Sequence, residues 1–108
     1  MDGQLKRGLL DVCVLAAIGD APSYGYQIIK RMKPHIEISE STLYPILRRL
    51  EAAECLTEST SEHNGRLRKY YAITPTGRER IAAFQDSWVE ILAIYNFIVG
   101  SDRTHDEG

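Results

Sequence analysis

The residues of this chain best suited to chemistry are a run of hydroxyls and a cluster of cations. Ser39, Ser41, Thr42 and Tyr44 stand at the start of a segment, Ile38 to Glu51, that reads as an amphipathic helix, with Arg48 and Arg49 toward its end. Further on, Arg66, Arg68 and Lys69 lie between Gly65 and Tyr70-Tyr71. Hydroxyls and open N–H groups at a helix start suit phosphate oxygens, and side chains just beyond them can reach base edges. Long cations on a hairpin can grip a sugar-phosphate backbone or enter a minor groove. Together they form what a protein needs to read one DNA groove and hold the strand beside it. Each residue also has a plainer reading. Ser39 can simply cap, Tyr44 can pack, Arg48 and Arg49 can pair with Glu51 or Glu40, and the hairpin cations can be a solvated run. Tyr26 is open between phosphate contact and core packing.

The formal net charge is −2, from 13 Lys and Arg against 15 Asp and Glu, which speaks weakly against a nucleic-acid partner. Its distribution speaks the other way. Arg66, Arg68, Lys69, Arg78 and Arg80 cluster in one stretch opposed only by Glu79, while the acids gather elsewhere. Salt screens remote acids beyond roughly 10 Å, so a local basic patch still attracts phosphate. The sequence has no paired carboxylates, nucleophile elbow, phosphate loop or metal-ligand spacing, so an enzyme is not expected, nor a cofactor or a metal. Cys13 sits in an apolar run and reads as a buried thiol rather than a redox or metal group. His35, His63 and His105 show no ligand spacing with Cys13 or Cys55. With no signal peptide and no apolar run near the ~20 residues of a membrane span, the expected compartment is the cytoplasm and no membrane partner is expected.

Elements in a fixed order must position these groups. Leu5 to Ile18 reads as a helix with Leu5, Leu9, Val12, Cys13 and Ala16 on one face, widened by Leu10, Val14 and Leu15, and ended by Gly19 to Pro22. Ser23 is expected to cap a second helix reaching Met32. Glu37 and Ile38 suit a very short strand. Ser39 caps the third helix, to about Ala53, with Leu43, Ile46, Leu47 and Leu50 inward and Pro45 as a kink or an irregular start. Leu56 to Ser59 and Arg68 to Ile73 read as strands joined through an Asn64-Gly65 turn, with Tyr71 inward and Tyr70 outward. Thr74-Pro75 opens a last helix running to about Val99. With 108 residues, one small domain is the default. The order predicts a mainly α fold with a small β-hairpin wing: a winged helix-turn-helix domain over residues 1–74, a C-terminal dimerisation helix over 75–100, and a flexible tail over 101–108.

The last helix carries a further signal. Ile81, Phe84, Trp88, Ile91, Tyr95 and Ile98 recur at alternating spacings of three and four, a coiled-coil-like seam that Leu92 and Val99 widen. The alternatives are packing on a second subunit, making a homodimer, or folding back onto the chain's own core. In a two-fold dimer the two recognition helices would lie about one DNA turn apart, roughly 34 Å.

These segments also resemble a known family. Leu5-Lys6-Arg7-Gly8 with its apolar run, Tyr24-Gly25-Tyr26-Gln27-Ile28-Ile29, Ser41 to Glu51 with Leu43-Tyr44-Pro45, Gly65 to Tyr71, and Thr74-Pro75-Thr76-Gly77 look like the PadR family of bacterial transcriptional regulators. The likeness runs from Leu5 to Val99, and the chain is similar to the short subfamily with a single C-terminal dimerisation helix. It departs at Ala53-Glu54-Cys55, where the family often has glycine. The resemblance implies a homodimeric repressor of a palindromic operator, released from double-stranded DNA by a small molecule. It places Thr42 and Tyr44 on the groove side, and Pro45 beside them is also expected to contact DNA. In some relatives an aromatic at the position of Trp88 lines a pocket between subunits. A small aromatic or hydrophobic effector would then draw on Trp88, Phe84 and Ile91 with Leu9 and Val12 across the interface, although Trp88 can equally serve as interface packing. The rival reading is a winged-helix module that binds protein and not DNA.

Overall fold

The first helix begins earlier than its apolar pattern suggests, because Asp2 caps it. The Asp2 carboxylate accepts the backbone N–H groups of Gln4 and Leu5 at 3.1 and 3.2 Å. The computed structural model describes residues 2–100, so the tail expected at 101–108 lies outside the described residues. The elements run α1 (Gly3–Ile18), α2 (Gly25–Met32), α3 (Glu40–Ala52), β1 (Leu56–His63), β2 (Arg66–Ile73) and α4 (Pro75–Val99). This is a winged helix: three helices, a two-stranded antiparallel hairpin and one long closing helix.

On α1 the core takes Leu10, Val14, Leu15 and Ile18. The stripe expected to lead turns the other way: Leu5 and Ala16 are exposed and Leu9, Val12 and Cys13 half-buried. An apolar band this wide leaves the choice of core-facing side to the neighbouring helices. Ile28 and Met32 of α2, and Leu43, Ile46, Leu47 and Leu50 of α3, complete the centre with Leu56 and Tyr71 from the hairpin base.

Ser23 does not cap α2; Tyr24 stands at that position. Ser23 is fully buried, and its hydroxyl donates to the Ile18 carbonyl at 2.9 Å while accepting from the Arg31 guanidinium at 2.7 Å. Its backbone pairs with Tyr71 through two hydrogen bonds of 2.9 and 2.8 Å. The bridge beside β2 is thus made by Ser23. The strand expected at Glu37 and Ile38 does not form, and Ile38 packs half-buried on the core instead.

Ser39 caps α3, its Oγ accepting the Thr42 N–H at 3.3 Å. The helix continues through Pro45. Proline removes only the bond that would reach the Ser41 carbonyl, and both residues are exposed, so water can replace it. After α3 the chain turns through Glu54 at φ 62, a left-handed conformation that glycine adopts without cost. The hairpin pairs Leu56 with Ile73 and His63 with Arg66. Asn64 and Gly65 both have positive φ, 52 and 78, as a tight two-residue connection requires. Both strands are longer than expected, reaching His63 and starting at Arg66.

Thr74 starts α4 as its sequence predicts, its hydroxyl accepting the Gly77 N–H at 3.1 Å and donating to the Glu54 carbonyl at 2.6 Å. Gly77 is the only buried residue of α4, pressed against the backbone of Cys55. Ile81 packs half-buried against the chain's own core, and Arg78 and Arg80 pair with Asp20 and Asp11. Beyond Phe84 the helix leaves the body, which gives the molecule extents of 70 × 26 × 21 Å. Folding back onto the core is therefore not what this helix does. No helix among the described residues is long and apolar enough to cross a membrane.

Candidate nucleic-acid interface

The starts of α2 and α3 meet the wing around one open groove of about 510 Å³, lined by Tyr24, Gly25, Tyr26, Glu40, Tyr44, Leu67, Arg68 and Lys69. Of the residues singled out from sequence, Tyr26, Tyr44, Arg68 and Lys69 converge here. Gly25 permits the convergence: a Cβ at this position would lie 2.7 Å from the Tyr44 hydroxyl, and the phenol would have to shift to make room for it. Tyr26 is 61% exposed, which favours contact with a partner over core packing.

Ser39, Ser41 and Thr42 form one exposed hydroxyl cluster at the head of α3, with Oγ–Oγ distances of 2.9 Å from Ser39 to Ser41 and 3.2 Å from Ser39 to Thr42. They lie on the same turn as Glu40 but do not line the groove. Pro45 and Arg48 are exposed further along the same helix. Arg49 faces Asp11 on α1 rather than Glu40 or Glu51, so its charge is committed to the protein body. The long sequence separation of this pair hid it from local reading.

Each wing cation has a different neighbourhood. Arg66, at the tip opposite His63, is exposed and makes no ion pair with any described residue. Lys69 lies 3.9 Å from the Glu58 carboxylate on β1, a partly exposed pair of small energetic weight. The Arg68 guanidinium sits 4.0 Å above the ring of Tyr24, and that ring meets Tyr70 edge-on at 5.7 Å. Tyr70, expected to point outward, is accordingly half-buried. Sequence reasoning passed over Tyr24, Leu67 and Glu40 as groove residues. The Tyr24-Gly25-Tyr26 triplet at a helix start was the available signal for the first.

Behind the groove, Tyr44, Arg48, Glu51, Glu58, Lys69 and Tyr71 surround a smaller cavity of about 200 Å³ with Leu47. Burial pushes the Tyr71 phenol up to about 12; Glu58, Tyr44 and Glu51 add to the rise and Arg48 opposes it. The phenol is therefore neutral at physiological pH, and the nearby acids do not leave the cavity basic.

A separate apolar cavity of about 250 Å³ lies between α1 and α4, lined by Leu9, Val12, Cys13, His35, Ile36 and Phe84. Leu9, Val12 and Phe84 come together here within a single chain. Trp88 stacks on Phe84 with ring centroids 6.1 Å apart and planes 18° from parallel. Burial raises the Cys13 thiol, which stays neutral. Ile91, Tyr95 and Ile98 are exposed on the projecting part of α4, together with Val89, Leu92, Ile94, Phe97 and Val99.

Residues 14–83 match the transcriptional regulator PadR-like family. The chain belongs to the PadR-like family. It is 32% identical over 76 residues to a transcriptional regulator of Mycobacterium tuberculosis, an alignment covering 69% of this chain and 71% of that protein. Among solved structures, a PadR-like transcription factor from Bacteroides fragilis superposes with a TM-score of 0.78 at 32% identity, covering 88% of this chain and 94% of the other. A PadR family transcriptional regulator from Eggerthella lenta gives 0.79 at 31% identity, covering 89% and 86%. This PadR-like chain is thus a transcriptional regulator rather than an enzyme, and its winged helix is the fold of its relatives.

Proposed function

We propose that this PadR-like chain is a cytoplasmic homodimeric repressor that binds a palindromic operator. Residues 1–74 act as the DNA-binding domain and residues 75–100 as the dimerisation helix. The head of α3, with Ser39, Ser41, Thr42, Tyr44 and Pro45, enters the major groove. Arg48 and the wing residues Arg66, Arg68 and Lys69 grip phosphates, and Tyr26 meets the backbone from α2. The observation that carries this reading is the groove itself: two helix starts and a cationic hairpin open onto one surface, with aromatic and hydroxyl groups between them. Membership of a family whose members bind DNA and generally dimerise supports it.

The dimer reading rests on α4. Trp88, Ile91, Leu92, Tyr95, Ile98 and Val99 are between 44% and 69% exposed on one stripe of a lone protomer. A second copy covers such a stripe by two-fold symmetry, and Phe84 lies at its start. A small aromatic or hydrophobic effector between subunits would contact Trp88, Phe84 and Ile91 and the Leu9 and Val12 wall. By tilting α4 it would release the DNA.

The test is binding to a mixed-sequence duplex across a salt series. The wild type is expected to bind with a steep salt dependence, and Arg66→Ala to lower the slope by about 1 while weakening all sequences alike. A wild-type chain showing no salt-dependent shift on any duplex would sink the reading and favour a protein-binding module.

A further inference from the structure

Tyr24 lines the groove, and the DNA-binding scheme above gives it no task. Its neighbour Ser23 is buried and bonded twice to the backbone of Tyr71. Its own N–H donates to the Gln27 side chain at 3.2 Å. Its ring is braced edge-on by Tyr70 at 77°. Arg68 and Tyr70 lie two residues apart on β2 and so share one face of the hairpin. Both meet the same ring, one by its edge and one by its charge.

The geometry points to Tyr24 as a positioning residue. It fixes the Arg68 guanidinium in the groove where a DNA phosphate docks, an inference that rests on the DNA-binding reading above. The chemistry favours this division of labour. A guanidinium held over an aromatic ring by its charge commits none of its N–H groups to a hydrogen bond there, so they are left for a phosphate contact. The ring removes the freedom of a long side chain before DNA arrives, so less ordering remains to be done on binding. A lysine at the same place would keep the charge but lose the plane and the fork. The first turn of α2, Gly25 and Tyr26, lines the same groove, so the held guanidinium lies beside a helix start that also favours anions.

A double-substitution cycle on a mixed-sequence duplex tests this, with circular dichroism to check folding. Arg68→Lys alters only a wing side chain. It is expected to weaken binding about two- to fivefold in the wild-type background and by clearly less in a Tyr24→Leu background, where only the loss of the fork remains. Tyr24→Phe keeps the ring and is expected to bind like the wild type. Equal affinity of Arg68→Lys and wild type would overturn the inference, as would effects of Arg68→Lys and Tyr24→Leu that simply multiply, or a loss in Tyr24→Phe. These results arise only if the wild type binds. A wild type indifferent to duplex at every salt concentration overturns the DNA-binding reading and this inference with it.

Discussion

Replacing Gly77 with alanine sets two physical effects against each other. Alanine is the better helix former by about 1 kcal/mol, so propensity alone predicts stabilisation. The structure predicts the opposite. A Cβ on Gly77 would stand 2.2 Å from the Cys55 carbonyl oxygen and 2.7 Å from Ile73 Cγ1. A carbon and a carbonyl oxygen need about 3.3 Å, so the first turn of α4 must retreat by about 1 Å. The Cys55 carbonyl cannot yield freely, because it accepts the Thr74 N–H at 3.1 Å. Retreat stretches that bond and the Thr74 hydroxyl bond to Glu54. Overpacking costs about 1–3 kcal/mol and a weakened cap and hydrogen bond about 1 kcal/mol each; less the propensity gain of about 1 kcal/mol, the net loss is about 2–4 kcal/mol. For a chain of this size that corresponds to a melting temperature lower by about 10–20 °C. Gly8, with nothing within 4 Å of its would-be Cβ, is the matched control, and Gly8→Ala should gain up to about 1 kcal/mol. Calorimetry of the two variants decides. A Gly77→Ala protein that melts at or above the wild type would refute the wedge of α4 against Cys55 and Ile73.

Three further outcomes follow from positions already described. Glu54→Gly relieves a left-handed backbone and should stabilise by up to about 1 kcal/mol after the added freedom of the unfolded chain is counted; a lower melting temperature would contradict this. Tyr71 keeps its proton in the folded state up to about 12 while the unfolded phenol releases its own near 10. Its contribution is therefore intact below pH 10 and is lost as pH rises from 10 to about 12, a fall of about 2–3 kcal/mol. Urea midpoints of wild type and Tyr71→Phe should show a shallower alkaline decline in the variant, and parallel declines would assign the effect elsewhere. Ile91→Asp places a charge in the exposed stripe of α4 and should shift sedimentation toward the protomer at micromolar concentration; an unchanged mass would remove Ile91 from the interface.

The parts of the fold legible in the sequence are those with local chemical punctuation. Ser39 and Thr74 start their helices because a short hydroxyl side chain is matched to an open N–H three residues on, and Pro75 is suited to the first helical position. Asn64-Gly65 turns because both residues tolerate positive φ. Tyr71 faces inward by simple alternation from Ile73. What escaped depended on distant partners or on missing patterns. Ser23 has the chemistry of a cap but spends it on Ile18 and Arg31, which only the packing of α1 on α2 reveals. Most of β1 is exposed on both faces, so the segment after Leu56 shows no apolar alternation to betray its length. The groove was legible through Tyr26, Tyr44, Arg68 and Lys69, each beside a turn or helix start. The Arg68–Tyr24 cation–π contact and the Arg49–Asp11 pair join remote segments and leave no local trace.

The continuity of α4 has a mechanical consequence. Its 25 residues form a rod about 37 Å long, clamped at one end by Thr74 and Gly77. A pivot of about 5° at that clamp swings the far tip through about 3 Å, close to the 3.4 Å rise of one base pair. In the proposed dimer, such a lever would need no melting and no rearranged core to move one α3 out of step with its twin by a single rung of the duplex.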